Sequence, residues 1–159
     1  MSRMIESARP TVIAANPDQW SEKSKQSVAF GFRREYRDEP YNCWHCKAAS
    51  LFTAQEQKYT FEVQKASINQ SRILCEVCWQ ESNRIRAALR TCEEAWTLSK
   101  VELKTDEAFL GRWLQLLLQL EQYVPCKPDT AKRSMLSKLL AGAKTDGRKR
   151  DGGCDKSEK

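Results

Sequence analysis

The chain has 159 residues, 40% of them hydrophobic and 30% charged, with five tryptophans; this composition excludes a wholly disordered chain and leaves room for one modest core, not two large ones. Its longest apolar cluster, Leu114 to Leu120, is broken by Gln115 and Gln119 and falls far short of the roughly 20 residues that a membrane-spanning helix needs. The net charge of +6 would point to an anionic partner if it were concentrated, but no segment is strongly basic and the cysteine-bearing stretch is neutral.

Residues 1–27 carry Pro10, Pro17, serines and lysines with no sustained period, which predicts a poorly ordered arm. No continuous apolar run of the secretory type occurs there, so the expected location is the cytosol. Val28 to Tyr36 is a short apolar stretch expected to place Phe30 and Phe32 on the domain that follows. Ala49 to Phe52 reads as a strand, and Thr53-Ala-Gln-Glu56 has the form of a capping box that starts a short helix. Tyr59, Val63 and Ala66 recur at helical spacing and are expected to lie against the cysteine site.

From Cys75 onward Ile85, Ala88, Leu89, Cys92, Ala95 and Trp96 keep a helical period, placing the second cysteine pair at a helix start. A second helix is predicted from about Thr105 to Val124, with an apolar stripe broad enough to need more than one neighbour. Pro125 and Pro128 end it, Asp129 caps a third helix over Thr130 to Ala141, and Gly142 is placed to stop that one. Residues 142–159 read as a disordered charged tail.

Seven cysteines in a chain expected to stay reduced are better read as ligands than as disulfides. Cys43 and Cys46 form one C-x-x-C pair, and Cys75 and Cys78 form a second after 28 intervening residues. Four thiolates are the number that a closed tetrahedral zinc site requires, with no position left for water, which is the structural and not the catalytic arrangement. One structural zinc ion is therefore the expected cofactor. Rubredoxin-like iron is the competing metal, and Cys43-Trp-His-Cys46 as a dithiol redox pair is the competing chemistry. His45, the one histidine, reads as a solvent-facing knuckle residue, and Cys92 as a buried small hydrophobe. Cys126 and Cys154 have no evident ligand partner.

The residues Cys43-Trp-His-Cys46, Thr53-Ala-x-Glu56-Gln57-Lys58-Tyr59, Phe61-Glu62-Val63 and Arg72-Ile-Leu-Cys75-Glu-Val-Cys78 resemble a family of bacterial proteins described as probable zinc-ribbon domains. That family joins a C-x-x-C knuckle, a "(F/W)TAxxQKxxYE" helix and a closing C-x-x-C. The resemblance covers about residues 36–80 and implies that Cys43, Cys46, Cys75 and Cys78 are the zinc ligands. The chain departs from the pattern in having Phe61 in place of Tyr, and Lys47 where a glycine often follows the second cysteine.

The expected fold is thus α+β: a small four-cysteine zinc-ribbon or treble-clef-like module over residues 28–82, then a helical extension over residues 83–141. The favoured function is a non-enzymatic interaction or adaptor module that meets a protein partner through its helices. Nucleic-acid binding is the alternative, suggested by a sequence pI of about 9.0 and by Arg84, Arg86 and Arg90. Against it, Arg86 and Arg90 share a helical face with Glu93, and Glu94 lies at i+4 from Arg90, so their charge is expected to be paired.

Overall fold

The computed structural model of the chain describes residues 11–125 and 127–150, the side chains of 146–150 excepted. The chain divides into two units, Met1–Cys75 and Glu76–Lys159. The first long helix starts at Glu76 and runs unbroken past residue 82, where the cysteine module was expected to end.

In the first unit, β1 (Val12–Ala14) pairs antiparallel with β2 (Glu35–Arg37), and β3 (Glu39–Asn42) with β4 (Ala49–Phe52). Pro40 sits in β3 opposite Leu51, a tolerable place because a two-stranded sheet has only edges. Between β1 and β2 lie a 3-10 turn (Pro17–Gln19) and two short helices, α1 (Glu22–Lys25) and α2 (Ala29–Phe32). The core gathers Trp20, Tyr36, Phe52, Ala54, Phe61 and Ile68.

The expected N-terminal arm is corrected here over its described part, residues 11–27. Trp20 is 2% exposed, and its indole Nε1 donates to the Tyr36 hydroxyl at 2.7 Å. Burial is the largest influence on Tyr36 and, despite the bond from Trp20, leaves its phenol pKa pushed up to about 12. The segment lacked a readable period because it contributes one large anchor between short turns and not an amphipathic element. Residues 1–10 lie outside the described residues.

Thr53 and Glu56 make the expected capping box at the start of α3 (Ala54–Lys58): Glu56 N–H donates to Thr53 Oγ1 at 3.2 Å, and Thr53 N–H to Glu56 Oε2 at 2.9 Å. The helix then widens into a π turn over Tyr59–Val63. The wider turn changes which side chains face inward, so Phe61 and Glu62 are buried while Tyr59 and Val63 are 54% and 62% exposed. The stripe expected to cover the cysteine site is therefore turned outward at Tyr59 and Val63. Of the two phenylalanines expected to pack inward, Phe30 meets the Trp20 ring at 6.3 Å and Phe32 is exposed.

The second unit contains α4 (Glu76–Leu103), α5 (Glu107–Tyr123) and α6 (Thr130–Arg150). The backbone of α4 leaves helical geometry at Ser99. Asp106 caps α5 by accepting from Phe109 N–H at 2.9 Å, and Asp129 caps α6 through Lys132 N–H at 2.9 Å. Helix α5 packs against both α4 and α6, which answers the need of its broad stripe for two neighbours. The core is Ile85, Leu89, Cys92, Leu110, Trp113 and Leu136, with the rings of Trp96 and Phe109 meeting Trp113 edge-on at 5.6 and 5.7 Å.

The third helix does not stop at Gly142. No glycine among the described residues has positive φ, so the left-handed stop that Gly142 would supply is not formed, and α6 continues through residues read as tail. Residues 151–159, with Cys154, and residue Cys126 lie outside the described residues. Among the described residues no helix is long and apolar enough to cross a membrane.

Trp20→Ala should destabilise the first unit by about 3–5 kcal/mol, the usual cost of emptying a large aromatic site. Urea unfolding followed by near-ultraviolet circular dichroism measures it; an unchanged midpoint is what a disordered arm would give.

Candidate metal centre

The first cysteine pair sits in the turn between β3 and β4. Cys43 N–H donates to Ala48 carbonyl at 2.9 Å, and Lys47 N–H returns to Cys43 carbonyl at 3.0 Å, closing a tight loop that turns both sulfurs to one side. Lys47 adopts φ +62°, a left-handed conformation that glycine takes without cost and that strains a side-chain-bearing residue. This is the position where the resembling family often has glycine. The Lys47 ammonium lies 4.9 Å from the Trp44 ring centroid and 2.5 Å from the Trp44 carbonyl, contacts that offset part of the strain.

The second pair is brought up by backbone pairing. Trp44 N–H donates to Ile73 carbonyl at 2.6 Å, and the Tyr41 hydroxyl to Leu74 carbonyl at 3.0 Å, so the segment leading to Cys75 is held beside the first knuckle. Tyr41 in this role escaped the sequence reading; its only signal is a tyrosine two residues before a ligand cysteine. Arg72 extends the clamp, pairing with Glu56 at 2.9 Å and lying 4.2 Å over the Phe52 ring. Cys75 then precedes α4 and Cys78 falls in its first turn, where unsatisfied N–H groups favour thiolate over thiol.

The ligand atoms of Cys43, Cys46, Cys75 and Cys78 all lie within 4.8 Å of one another. Cys46 Sγ and Cys75 Sγ are 3.7 Å apart. Thiolates at the usual Zn–S length of about 2.3 Å sit about 3.8 Å apart along the edge of a tetrahedron, whereas a disulfide would bring them to about 2.05 Å. None of the four is held in a disulfide. The donor set thus fits a four-coordinate metal ion, and every cysteine expected as a ligand is in place.

Cys43 is buried, and burial alone would push its pKa up. The backbone N–H groups at Cys75, Cys46 and His45, together with the Cys46 side chain, outweigh that effect and bring it down to about 6. An ordinary thiol ionises near 8.5, so the turn geometry prepares this ligand as a thiolate at neutral pH. His45 is half-buried between the first two cysteines. Cys92 belongs to the helical core, where burial pushes its thiol up, in keeping with a packing role.

Residues 37–87 match the family model described as "Probable treble clef domain". The match runs from β2 through both cysteine pairs into α4, the stretch in which the zinc-ribbon resemblance was read. No curated protein and no solved structure matches the chain.

Cys43→Ser and Cys78→Ser should each abolish stoichiometric metal retention, while Cys92→Ser should keep it and lose stability alone. Metal content by plasma mass spectrometry, with thiol titration before and after denaturation in chelator, separates the two outcomes. In the wild-type chain chelation should leave most helical circular dichroism intact, since the core around Leu110 and Trp113 contains no ligand.

Proposed function

We propose that the chain is a zinc protein whose metal is structural, and that it serves as a non-enzymatic interaction or adaptor module meeting a protein partner through its helical unit. The observation that carries the reading is the convergence of four sulfurs on one point, a donor set that fills a tetrahedral shell and leaves no coordination position for water or substrate. Zinc is favoured over iron by the treble clef match and by two isolated C-x-x-C pairs in place of a denser cysteine run. The same convergence speaks for a metal over a redox dithiol, which would use one pair alone. Reduced thiolates suit a cytosolic protein.

Support for a protein partner comes from α4, where Leu98 and Val101 are each 86% exposed at i and i+3, side chains that a folded protein gains by covering. A second reading, nucleic-acid binding, has one specific observation behind it: Arg86 and Arg90 form no ion pair among the described residues, since Arg86 has no carboxylate one turn away and Glu93, within reach of Arg90, is taken by Lys132.

The readings part on salt. A protein partner recovered with the zinc-loaded chain at high salt, and reduced at least tenfold by Leu98→Glu with Val101→Glu, is the outcome expected for the adaptor, since each substitution sets a charge into an apolar contact. A mobility shift on single- or double-stranded oligonucleotides that weakens steeply with salt, with no such partner, would favour nucleic acid instead.

A further inference from the structure

Along α4 runs an open groove of about 440 Å³ lined by Asn83, Arg86, Leu89, Arg90 and Glu93. Its charge differs from what helical spacing alone suggests. Arg84 is spent on Glu81, with Nη2 to Oε1 at 2.6 Å. Glu93, at i+3 from Arg90, is drawn instead to Lys132 on α6, which also holds Asp129 at 3.6 Å, and Arg86 has no carboxylate three or four residues away on the helix. Glu94 is exposed and forms no ion pair with Arg90. Arg86 and Arg90 are thus left as two exposed guanidinium groups one helical turn apart, without an ion-pair or hydrogen-bond partner among the described residues.

We propose that this groove is the docking site for an acidic peptide segment of the partner protein, one that sets two carboxylates on Arg86 and Arg90 and an apolar side chain over Leu89. This rests on the adaptor reading and names the chemistry of its partner. Residues at i and i+4 on a helix have their Cβ atoms about 5–6 Å apart, a span that two carboxylates on neighbouring turns of a helix, or on one face of a strand, match. Each guanidinium offers a fork of donors to one carboxylate. Leu89 is 7% exposed and gives the groove an apolar floor, while the Asn83 amide offers both donor and acceptor to a peptide backbone.

The other polyanion of the cell fits less well. A nucleic-acid backbone carries charge at every nucleotide and is gripped by an extended basic track. Here Glu93 closes the lining of the groove and Glu94 and Glu81 stand on the same helix, so a continuous phosphate chain would meet carboxylates beyond the two arginines. A peptide with two acidic residues flanking one apolar residue needs only the two arginines.

The test is fluorescence anisotropy of the zinc-loaded full chain with a short dye-labelled peptide bearing two glutamates that flank a leucine. A peptide with glutamines in their place and a labelled single-stranded oligonucleotide serve as comparisons. Expected is binding of the acidic peptide alone, weakened about tenfold or more by Arg86→Glu or Arg90→Glu. Arg84→Ala, outside the groove, should leave it unchanged. Arg86→Lys with Arg90→Lys should weaken it less than charge reversal but measurably, because an ammonium keeps the charge and loses the fork. All these side chains are exposed, so circular dichroism and metal content should match wild type. Peptide binding indifferent to Arg86→Glu and Arg90→Glu would overturn the proposal, as would oligonucleotide binding that those substitutions abolish while the peptide fails to bind. A protein partner retained at low salt as fully by the doubly reversed chain as by wild type would overturn the groove while leaving the adaptor reading standing.

Discussion

Four sulfurs within 4.8 Å of one another set the constraint on which the two cysteine knuckles turn. Thiolates at such distances repel strongly wherever water does not screen them, and the repulsion grows as the dielectric falls. Cys43 is fully buried, yet backbone N–H groups draw its thiol toward the thiolate. A cation at the centre of the four sulfurs would neutralise the charge that gathers there. Metal binding and folding of the knuckles are consequently one event, and the ion's binding free energy appears as stability of the fold.

The helix motif that flags the resembling family has a structural account residue by residue. Thr53 and Glu56 cap the helix, and Glu56 also takes Arg72. Ala54 is fully buried, and its N–H reaches Asp38 at 2.7 Å. The Gln57 amide spans the carbonyls of Arg37 and Phe52 and so joins the two small sheets. Lys58 pairs with Glu62 at 3.2 Å and donates to the Ala14 carbonyl at 3.1 Å, while Glu62 accepts from Asn16 N–H at 2.7 Å. Two of these partners, Ala14 and Asn16, lie upstream of the family match. The N-terminal segment therefore supplies the acceptors and donors that the motif's polar side chains require, which is why it packs as part of the unit.

The ligand set and the helical core were legible because both are written in local spacing. C-x-x-C declares a shared metal within four residues, and the stripes of α4 to α6 repeat at the helical period over several turns. What stayed hidden depends on partners distant in sequence. Trp20 finds Tyr36 across two turns and two short helices, and no period announces it. Tyr59 and Val63 sit at a correct helical spacing, yet the π turn over the same residues inserts an extra residue into the turn and reverses their facing. Gly142 carries the usual stop signal of a helix end, but the signal acts only if the chain adopts the left-handed turn, and α6 continues past it.

Charge pairing on α4 shows the same limit in its sharpest form. Spacing along one helix says which carboxylates an arginine can reach, at a few tenths of a kcal/mol per exposed pair; it does not say which competitor reaches them first. Lys132, placed on α6 by the Asp129 cap, takes Glu93 from the side, and its side chain is only 29% exposed, so the contact is screened less than a fully exposed pair. The cross-helix contact therefore prevails over the weaker pairs along α4. Packing of α5 with both neighbouring helices thus does more than bury leucines. It decides which charges of the surface are consumed internally, and by consuming Glu93 it leaves Arg90 available beside Arg86 on a helix whose net charge alone would not have marked them.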